Sequence, residues 1–434
     1  MQVTIIGTGY VGLTAGVCLA DIGHTVICVD IDERKIHSLS QGNSPIYEAG
    51  LEKLLTKNLA EGRITFTTSV GLGMQKPDVV FFAVDTPPGE YGKANLSNLL
   101  TAVRSCAHHL SRPTIFVNKS TAPVGTVAKI KEILSQEAPK IPCSVASNPE
   151  FLSEGHAVRD FLQPNRIIVG VDDQQTANTL TELYRPIVSN EHPLIITTIP
   201  TAELIKYTSN AFLALKISFI NEIADFCELV GADVNDIARG IGMDTRIGSQ
   251  FLHAGIGYGG SCFGKDVKAL AASGEERGFE FKIIKALATV NDLRYQIVLK
   301  KLKKHIPDLK NKTIAVLGLA FKPLTNDVRD APSHRIIYEL LEHGAYVRAY
   351  DPIAHEEFRK NFSRSNDITM AQSIYEALDE ADAFLVLTEW NEFKSIDFHE
   401  AVRRMKGRLV IDGRNIFERS LVEASGFLYE GIGR

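Results

Sequence analysis

The chain is poor in tryptophan and methionine, with one and five in 434 residues, and nowhere do 18 uncharged apolar residues run together. A membrane-spanning helix is thereby excluded. Neither charge is in large surplus: 47 Lys and Arg against 52 Asp and Glu leave a net −5, so no overall field draws the chain to a phosphate polymer or an anionic membrane. Neither nucleic acid nor membrane is an expected partner, and any phosphate must be held by a local site. Cysteine is sparse too. The six, at positions 18, 28, 106, 143, 227 and 262, show no short paired spacing and no Cys/His cluster spaced for zinc, so they read as reduced thiols and no metal site is expected. The N-terminus has no basic leader or cleavage site, which makes cytoplasm the expected compartment.

What is present is an ordinary globular composition, 44% apolar and 23% charged, in a length that predicts about three domains. QVTIIG (2–7) is a short β-branched run followed by glycines, a helix-like stretch to Gly23 and a second buried run, TVICVD, ending at Asp30. Further runs at 77–84, 113–120, 144–150 and 165–170 predict a parallel sheet covered by helices to about residue 195.

From Thr201 to about Val230 apolar residues recur every three or four positions without Pro or Gly, and a second long helix is predicted from about Phe281 to His305. Such helices suit either a spine with apolar surface for a second copy of the chain or an intramolecular helical layer. At Thr313 the α/β pattern returns: TIAVLGLAF, a helix from about Ser333 to His343, and AYVRAYDP ending at Asp351, with 381–390 and 407–414 continuing the sheet. The order strand, glycine, helix, strand, Asp mimics residues 2–30. The second copy keeps only Gly318 of the glycine string. The predicted class is α/β, with two Rossmann-like parallel-sheet domains, 1–196 and 306–434, flanking a long-helix central dimerisation region, 197–305.

Gly7-Thr8-Gly9-Tyr10-Val11-Gly12 matches G-x-G-x-x-G between a predicted strand and a predicted helix. Gly7 permits the tight turn, Gly9 lets the backbone approach a pyrophosphate, and Gly12 lets helix and strand pack closely, with the helix N-terminus facing the phosphate charge. Asp30, 18 residues beyond Gly12, is placed to accept from both ribose hydroxyls and to repel a 2′-phosphate, which favours NAD over NADP. Lys35, a nearby cation, would tolerate NADP, and it also fits a lysine on a solvated helix face.

A second site begins at GIGYGGSCFGKD (255–266), a glycine-rich loop leading into a helix. Cys262 sits near that helix's first turn, where unpaired N–H groups favour thiolate. Half ionisation at neutral pH needs about 2 kcal/mol, more than the roughly 0.3–1 kcal/mol of a helix dipole, so a nearby ammonium is required; Lys265 and Lys206 are the candidates. Lys206 and Asn210 share one face of the long helix; Lys206 also fits a surface lysine laying its stem on apolar neighbours. A pyridine nucleotide beside a nucleophilic thiol suits aldehyde oxidation through a thiohemiacetal and a thioester, with Lys206 and Asn210 as oxyanion donors. Thr121, Glu150 and Glu154, in STAPVGT and NPEFLSEG, are candidates to handle the hydrolytic water.

GTGYVG with Asp30, STAPVGT, NPEFLSEG, AELIKYTSNAFLALKISFINE, GMDTRIGSQFLHAGIGYGGSCFGKD, GLAFKPLTNDVRDAPS and IDGRN, taken together, resemble the UDP-glucose/GDP-mannose dehydrogenase family, collinearly over essentially the whole chain. The resemblance implies a four-electron oxidation in which UDP-glucose, two NAD and water give UDP-glucuronate without release of the aldehyde. By match to the family motifs, Cys262 is the nucleophile, Lys206 and Asn210 stabilise oxyanions, Asp266 positions water or assists proton transfer, and Thr121 with Glu154 holds or activates the other water. Gly7, Gly9, Tyr10, Val11, Gly12, Asp30, Lys35, Thr86, Thr121, Glu154, Lys265 and Arg329 match NAD contacts. Glu150, Phe151, Leu152, Glu154, Lys206, Asn210, Phe251, Tyr258, Gly259, Phe321, Lys322 and Arg414 match substrate contacts, and Arg246 an arginine that reaches the neighbouring subunit's substrate, so a homodimer is implied.

The GGSCF-GKD segment lies closer to the UDP-glucose branch than to relatives acting on GDP-mannose or UDP-N-acetylhexosamines. Asp85 stands in DTPP where N-T-P is frequent, and its role is open. A two-electron hydroxyacid dehydrogenase of similar layout needs no thiol, and a non-catalytic nucleotide sensor has no use for Cys262, Lys206, Asn210 and Asp266 as a set.

Overall fold

The apolar runs of the first part become strands: β1 (Gln2–Ile6), β2 (Thr25–Val29), β3 (Ile64–Thr67), β4 (Val79–Phe82), β5 (Thr114–Asn118), β6 (Cys143–Ser147), β7 (Ile167–Gly170) and β8 (Leu194–Thr197). They form one sheet in the order β3-β2-β1-β4-β5-β6-β7-β8. Val3, Ile5, Val79 and Phe81 pack into the core on one face, and Ile6, Val80 and Phe82 into that on the other. Both faces are therefore covered, as parallel sheets require. Every pair is parallel except β6 with β7, which meet antiparallel at Ser147 and Gly170. The segment between them carries only the six-residue helix Ala157–Leu162 and turns back at the strand end, so NPEFLSEG stays at the carboxyl edge of the sheet, where such sheets place ligands.

Later in the chain come β9 (Thr313–Leu317), β10 (Tyr346–Tyr350), β11 (Ile368–Met370), β12 (Ala383–Val386), β13 (Leu409–Asp412) and β14 (Leu428–Glu430), all parallel, ordered β11-β10-β9-β12-β13-β14. Gly318 repeats the conformation of Gly7, at φ +100° against +96°. Asp351 does not repeat the situation of Asp30: it is 1% exposed and accepts five N–H donors, from Leu319, Ala320, Ile353, Ala354 and the Trp390 indole.

The predicted helix over 201–230 extends over Ile199–Val230, about 48 Å at 1.5 Å per residue. The single helix expected over 281–305 is instead two, Lys282–Leu293 and Gln296–His305. At the break the amides of Arg294, Ile297 and Val298 bond three residues back rather than four, while the buried Arg294 side chain donates to the Gly255 carbonyl at 2.8 Å and pairs with Asp225 at 2.5 Å. The computed structural model describes residues 1–434 and divides into two units, Met1–Ser209 with Ala269–Phe279, and Asn210–Lys268 with Glu280–Arg434.

Candidate active site

In the first unit the β1 turn is built as the glycine spacing requires. A Cβ on Gly7 would lie 2.5 Å from the Ala83 carbonyl oxygen and one on Gly12 1.9 Å from that of Gly7, so larger residues are barred from both positions. A Cβ on Gly9 would meet nothing within 4 Å, so the space in front of this turn is open to a pyrophosphate. Asp30 closes β2 and accepts from the Thr8 amide at 2.8 Å, the Thr8 hydroxyl at 2.7 Å and the Lys35 ammonium at 3.2 Å. Burial pushes its carboxyl up, but the two Thr8 bonds, the Asp32 amide and Lys35 together hold it below the usual range. Lys35 thus neutralises Asp30.

Tyr10 begins the helix after the glycines, and its hydroxyl donates to the Glu48 carboxylate. The Gly155 amide donates to both, at 2.9 Å to the Tyr10 oxygen and 2.8 Å to Glu48, and the Ala157 amide donates to Glu48 at 2.9 Å. The Thr86 hydroxyl donates to the Thr121 carbonyl at 2.7 Å. Buried Glu203 accepts the Gly125 and Val127 amides at 2.8 and 2.9 Å, fixing the loop after Thr121 to the long helix.

One turn along that helix, the Lys206 ammonium lies 2.8 Å from Glu150, with the two side chains 4% and 6% exposed. Lys206 is therefore no surface lysine. Glu150 also accepts the Leu152 amide at 2.6 Å, and the Phe151 ring sits between cations, 5.5 Å from Lys206 and 3.7 Å from Arg166. Burial pushes the Glu150 carboxyl up; the Lys206 charge and hydrogen bond, the Leu152 amide and Lys119 outweigh it and hold it below the usual range. Lys119 is buried, donates to Asn148 at 3.0 Å and is pushed down to about 8 by burial, with Glu150 opposing and Lys206 adding to the fall. Glu154 is half-buried, at the end of the same loop.

In the second unit Cys262 immediately precedes the helix Phe263–Glu275, and its carbonyl accepts the Asp266 amide at 2.9 Å, the first bond of that helix. The half-buried thiol lies 3.6 Å from the Ser261 hydroxyl. Burial pushes the thiols of Cys18, Cys28 and Cys143 up and that of Cys106 to about 12, away from thiolate. Asp266, 1% exposed, accepts the Asn210 amide and the Lys265 ammonium, each at 2.7 Å. Both lysines proposed to face the thiol thus also hold carboxylates, Lys206 on Glu150 and Lys265 on Asp266.

The loop leading to Cys262 is tied from several sides. The Gly255 amide donates to Asn221 at 2.7 Å, and Asn291 accepts the Tyr258 amide at 2.8 Å and donates to its carbonyl at 3.2 Å. Arg414 donates to the carbonyls of Leu387, Gly257 and Phe321. A Cβ on Gly259 would lie 2.5 Å from the Asp330 carbonyl, and one on Gly260 2.8 Å from the Phe321 ring. Lys322 lies over that ring at 5.5 Å. Phe251, at φ +64°, and Tyr258 both pack on Phe263. Arg329 and Arg246 are exposed, in bidentate pairs with Asp327 and Asp244.

Comparison with known proteins decides the family. Its NAD-binding domain matches residues 1–188, its central domain 200–293 and its UDP-binding domain 315–419. The chain belongs to the UDP-glucose/GDP-mannose dehydrogenase family. A UDP-glucose 6-dehydrogenase of Rhizobium meliloti (strain 1021) is 47% identical, with all of both chains aligned. Among solved structures, a UDP-glucose dehydrogenase from the archaeon Pyrobaculum islandicum superposes at a TM-score of 0.93 and 35% identity, covering 100% of this chain and 97% of that one. A UDP-D-ManNAc dehydrogenase from Pyrococcus horikoshii follows at 0.89 and 27%, covering 100% and 99%. As a family member the protein is an NAD-dependent dehydrogenase.

Sequence reading missed the residues that hold this dehydrogenase's loops in place: Glu48, Lys119, Asn148, Arg166, Glu203, Asn221 and Asn291. Two of them carried a signal. Lys119 follows the apolar run TIFVN, and Asn221 interrupts the apolar pattern of the long helix.

Proposed function

We propose that this enzyme oxidises UDP-glucose to UDP-glucuronate, consuming two NAD and one water per sugar. The observation that supports it most is the group around Cys262: a half-buried thiol at the open start of a helix whose first turn carries Asp266, itself bonded to Asn210. A two-electron dehydrogenase has no need of that thiol.

In this reading residues 1–196 hold NAD on the Gly7–Gly12 turn with Asp30 at the ribose, 197–305 carry the nucleophile, and 306–434 hold the UDP moiety. NAD held on that turn would supply the hydride acceptor for both oxidations. In the first, the C6 alcohol gives up a hydride from carbon and its hydroxyl proton to water, leaving an aldehyde. The Cys262 sulfur then adds to that carbon, forming a C–S bond and an alkoxide, which is held by the Lys206 ammonium and an Asn210 N–H. An amide nitrogen has two N–H groups, so Asp266 orients Asn210 through one and leaves the other for the substrate. The second oxidation yields a thioester. Water, held by Thr121 and Glu154, attacks it; the C–S bond breaks, one water proton restores the thiol, the other passes by way of Glu154 to solvent, and the carboxylate leaves. Glu150 keeps the Lys206 ammonium in position and, with Phe151 and Leu152, lines the sugar.

The family's dimer is part of the proposal. Phe212, Phe219 and Phe226 recur at seven-residue intervals along the long helix, 60%, 49% and 59% exposed, with Leu229 at 82%. That is the spacing of a helix–helix seam, which fits a second copy of the chain. Exposed Arg246 is the residue that would then reach the neighbouring substrate.

The deciding measurement is NADH formed per mole of UDP-glucose, with GDP-mannose and UDP-N-acetylglucosamine in parallel. Two NADH from UDP-glucose and little from the others is expected. One NADH with accumulating aldehyde rejects the thioester route, and faster turnover of UDP-N-acetylglucosamine reassigns the substrate to an N-acetylated UDP-sugar.

A further inference from the structure

Tyr10 has its backbone at the nucleotide turn and its hydroxyl elsewhere. The residue opens the helix that follows Gly9, so its amide belongs to the turn that approaches the pyrophosphate. Its hydroxyl, however, is committed to Glu48 and accepts from the Gly155 amide. Glu48 comes from the loop before the helix Leu51–Ala60, is 8% exposed, and gathers three donors: the Tyr10 hydroxyl and the amides of Gly155 and Ala157. A buried carboxylate needs such donors, and removing one leaves desolvated charge behind, so the three are held as a unit. Gly155, at φ +83°, directly follows Glu154 and closes the loop that begins at Glu150.

We infer that Tyr10 and Glu48 form a latch that makes binding of the coenzyme and of the sugar nucleotide energetically interdependent. Neither residue is placed in contact with the reacting carbon; both are positioning residues. A ligand that settles the Gly7–Gly12 turn fixes Tyr10, through it Glu48, and through Glu48 the amides of Gly155 and Ala157. A ligand that orders the Glu150–Glu154 loop acts along the same bonds in reverse. Linkage requires that the effect be equal in both directions. The inference rests on the proposed placement of NAD at the glycine turn and of the sugar at the Glu150 loop.

The test is NADH binding, followed by its fluorescence, with and without saturating UDP-glucose, a pair that cannot react. Wild type is compared with Tyr10→Phe, Glu48→Gln and the double variant, each checked for an unchanged far-UV spectrum and a cooperative melting transition above the assay temperature. In wild type UDP-glucose is expected to tighten NADH binding by about 5-fold or more. In Tyr10→Phe, which keeps the ring and loses only the hydroxyl, that factor falls to below about 2-fold, and adding Glu48→Gln changes it little further. Equal coupling in wild type and Tyr10→Phe overturns the latch, as does a wild type with no coupling. Failure of wild type to bind NADH or UDP-glucose at all rejects the site assignment itself, a different and separable outcome.

Discussion

Asn210 donates its side-chain amide to Asp266 over 2.7 Å, and Asp266 also takes the Lys265 ammonium, so both carboxylate oxygens are engaged and the group is closed to water. In the proposed reading its role is therefore to fix Asn210 rather than to position water. Asp266→Asn keeps the shape but lets the two amides exchange donor and acceptor faces. The expected result is a loss of about 100-fold in kcat, the order of one misplaced oxyanion donor, with KM for UDP-glucose within a few-fold. Steady-state kinetics at several pH values check this.

Lys206 and Glu150 are a buried ion pair, so each should be costlier to remove alone than together. Lys206→Met leaves the carboxylate stranded and is expected to cost about 3–5 kcal/mol in denaturant unfolding, whereas Lys206→Met with Glu150→Gln recovers most of that loss. Both variants should be inactive. Equal destabilisation by the single and double variants contradicts the pairing.

In the proposed reading Asp30 sets the choice between NAD and NADP. Asp30→Ala removes the acceptor held by Thr8 and releases Lys35 toward a 2′-phosphate. The ratio of kcat/KM for NAD over NADP is expected to fall at least about 10-fold, equivalent to one hydrogen-bonded charge. An unchanged ratio places the ribose elsewhere.

Lys119 makes a prediction about alkaline pH. Its ammonium is pushed down to about 8 by burial, against about 10.4 in an unfolded chain. Between those values the unfolded chain binds the proton that the folded protein has given up, so this residue's contribution to stability grows as pH rises and is lost again as pH falls through 8. Relative to Lys119→Met, wild type should gain stability from pH 8 to 10.4, by at most about 3 kcal/mol. Urea unfolding of both proteins across that range gives the answer, and parallel curves refute it.

If the phenylalanine seam joins two copies, Phe219→Glu with Phe226→Glu should halve the mass measured by light scattering. Unchanged mass assigns the seam another role.

Much of this was legible because it is local. The glycine string, Asp30 and the loop before Cys262 are short segments whose spacing alone dictates their geometry, and the long helix announced itself by period. Glu48, Lys119 and Asn291 were not, because each acts on a backbone or side chain far along the chain: 33 residues separate Asn291 from Tyr258, and 107 separate Glu48 from Gly155. The break at Arg294 left the apolar period intact on either side, and only the buried side chain reveals it. Strands β3, β8, β11 and β14 escaped for another reason. They are three or four residues long at or near sheet edges, and β8 exposes Ile195 and Ile196 at 44% and 42%, so no continuous buried run marks them.

Asp351 occupies in the second sheet the station that Asp30 holds in the first, yet its oxygens are saturated by five neighbours, among them the Trp390 indole. A ribose arriving there would find no acceptor to greet it. If the coenzyme sits at Asp30 as proposed, the company this second carboxylate keeps would bar the later sheet from competing for it, so that two look-alike halves would stay out of each other's trade without any change in backbone plan.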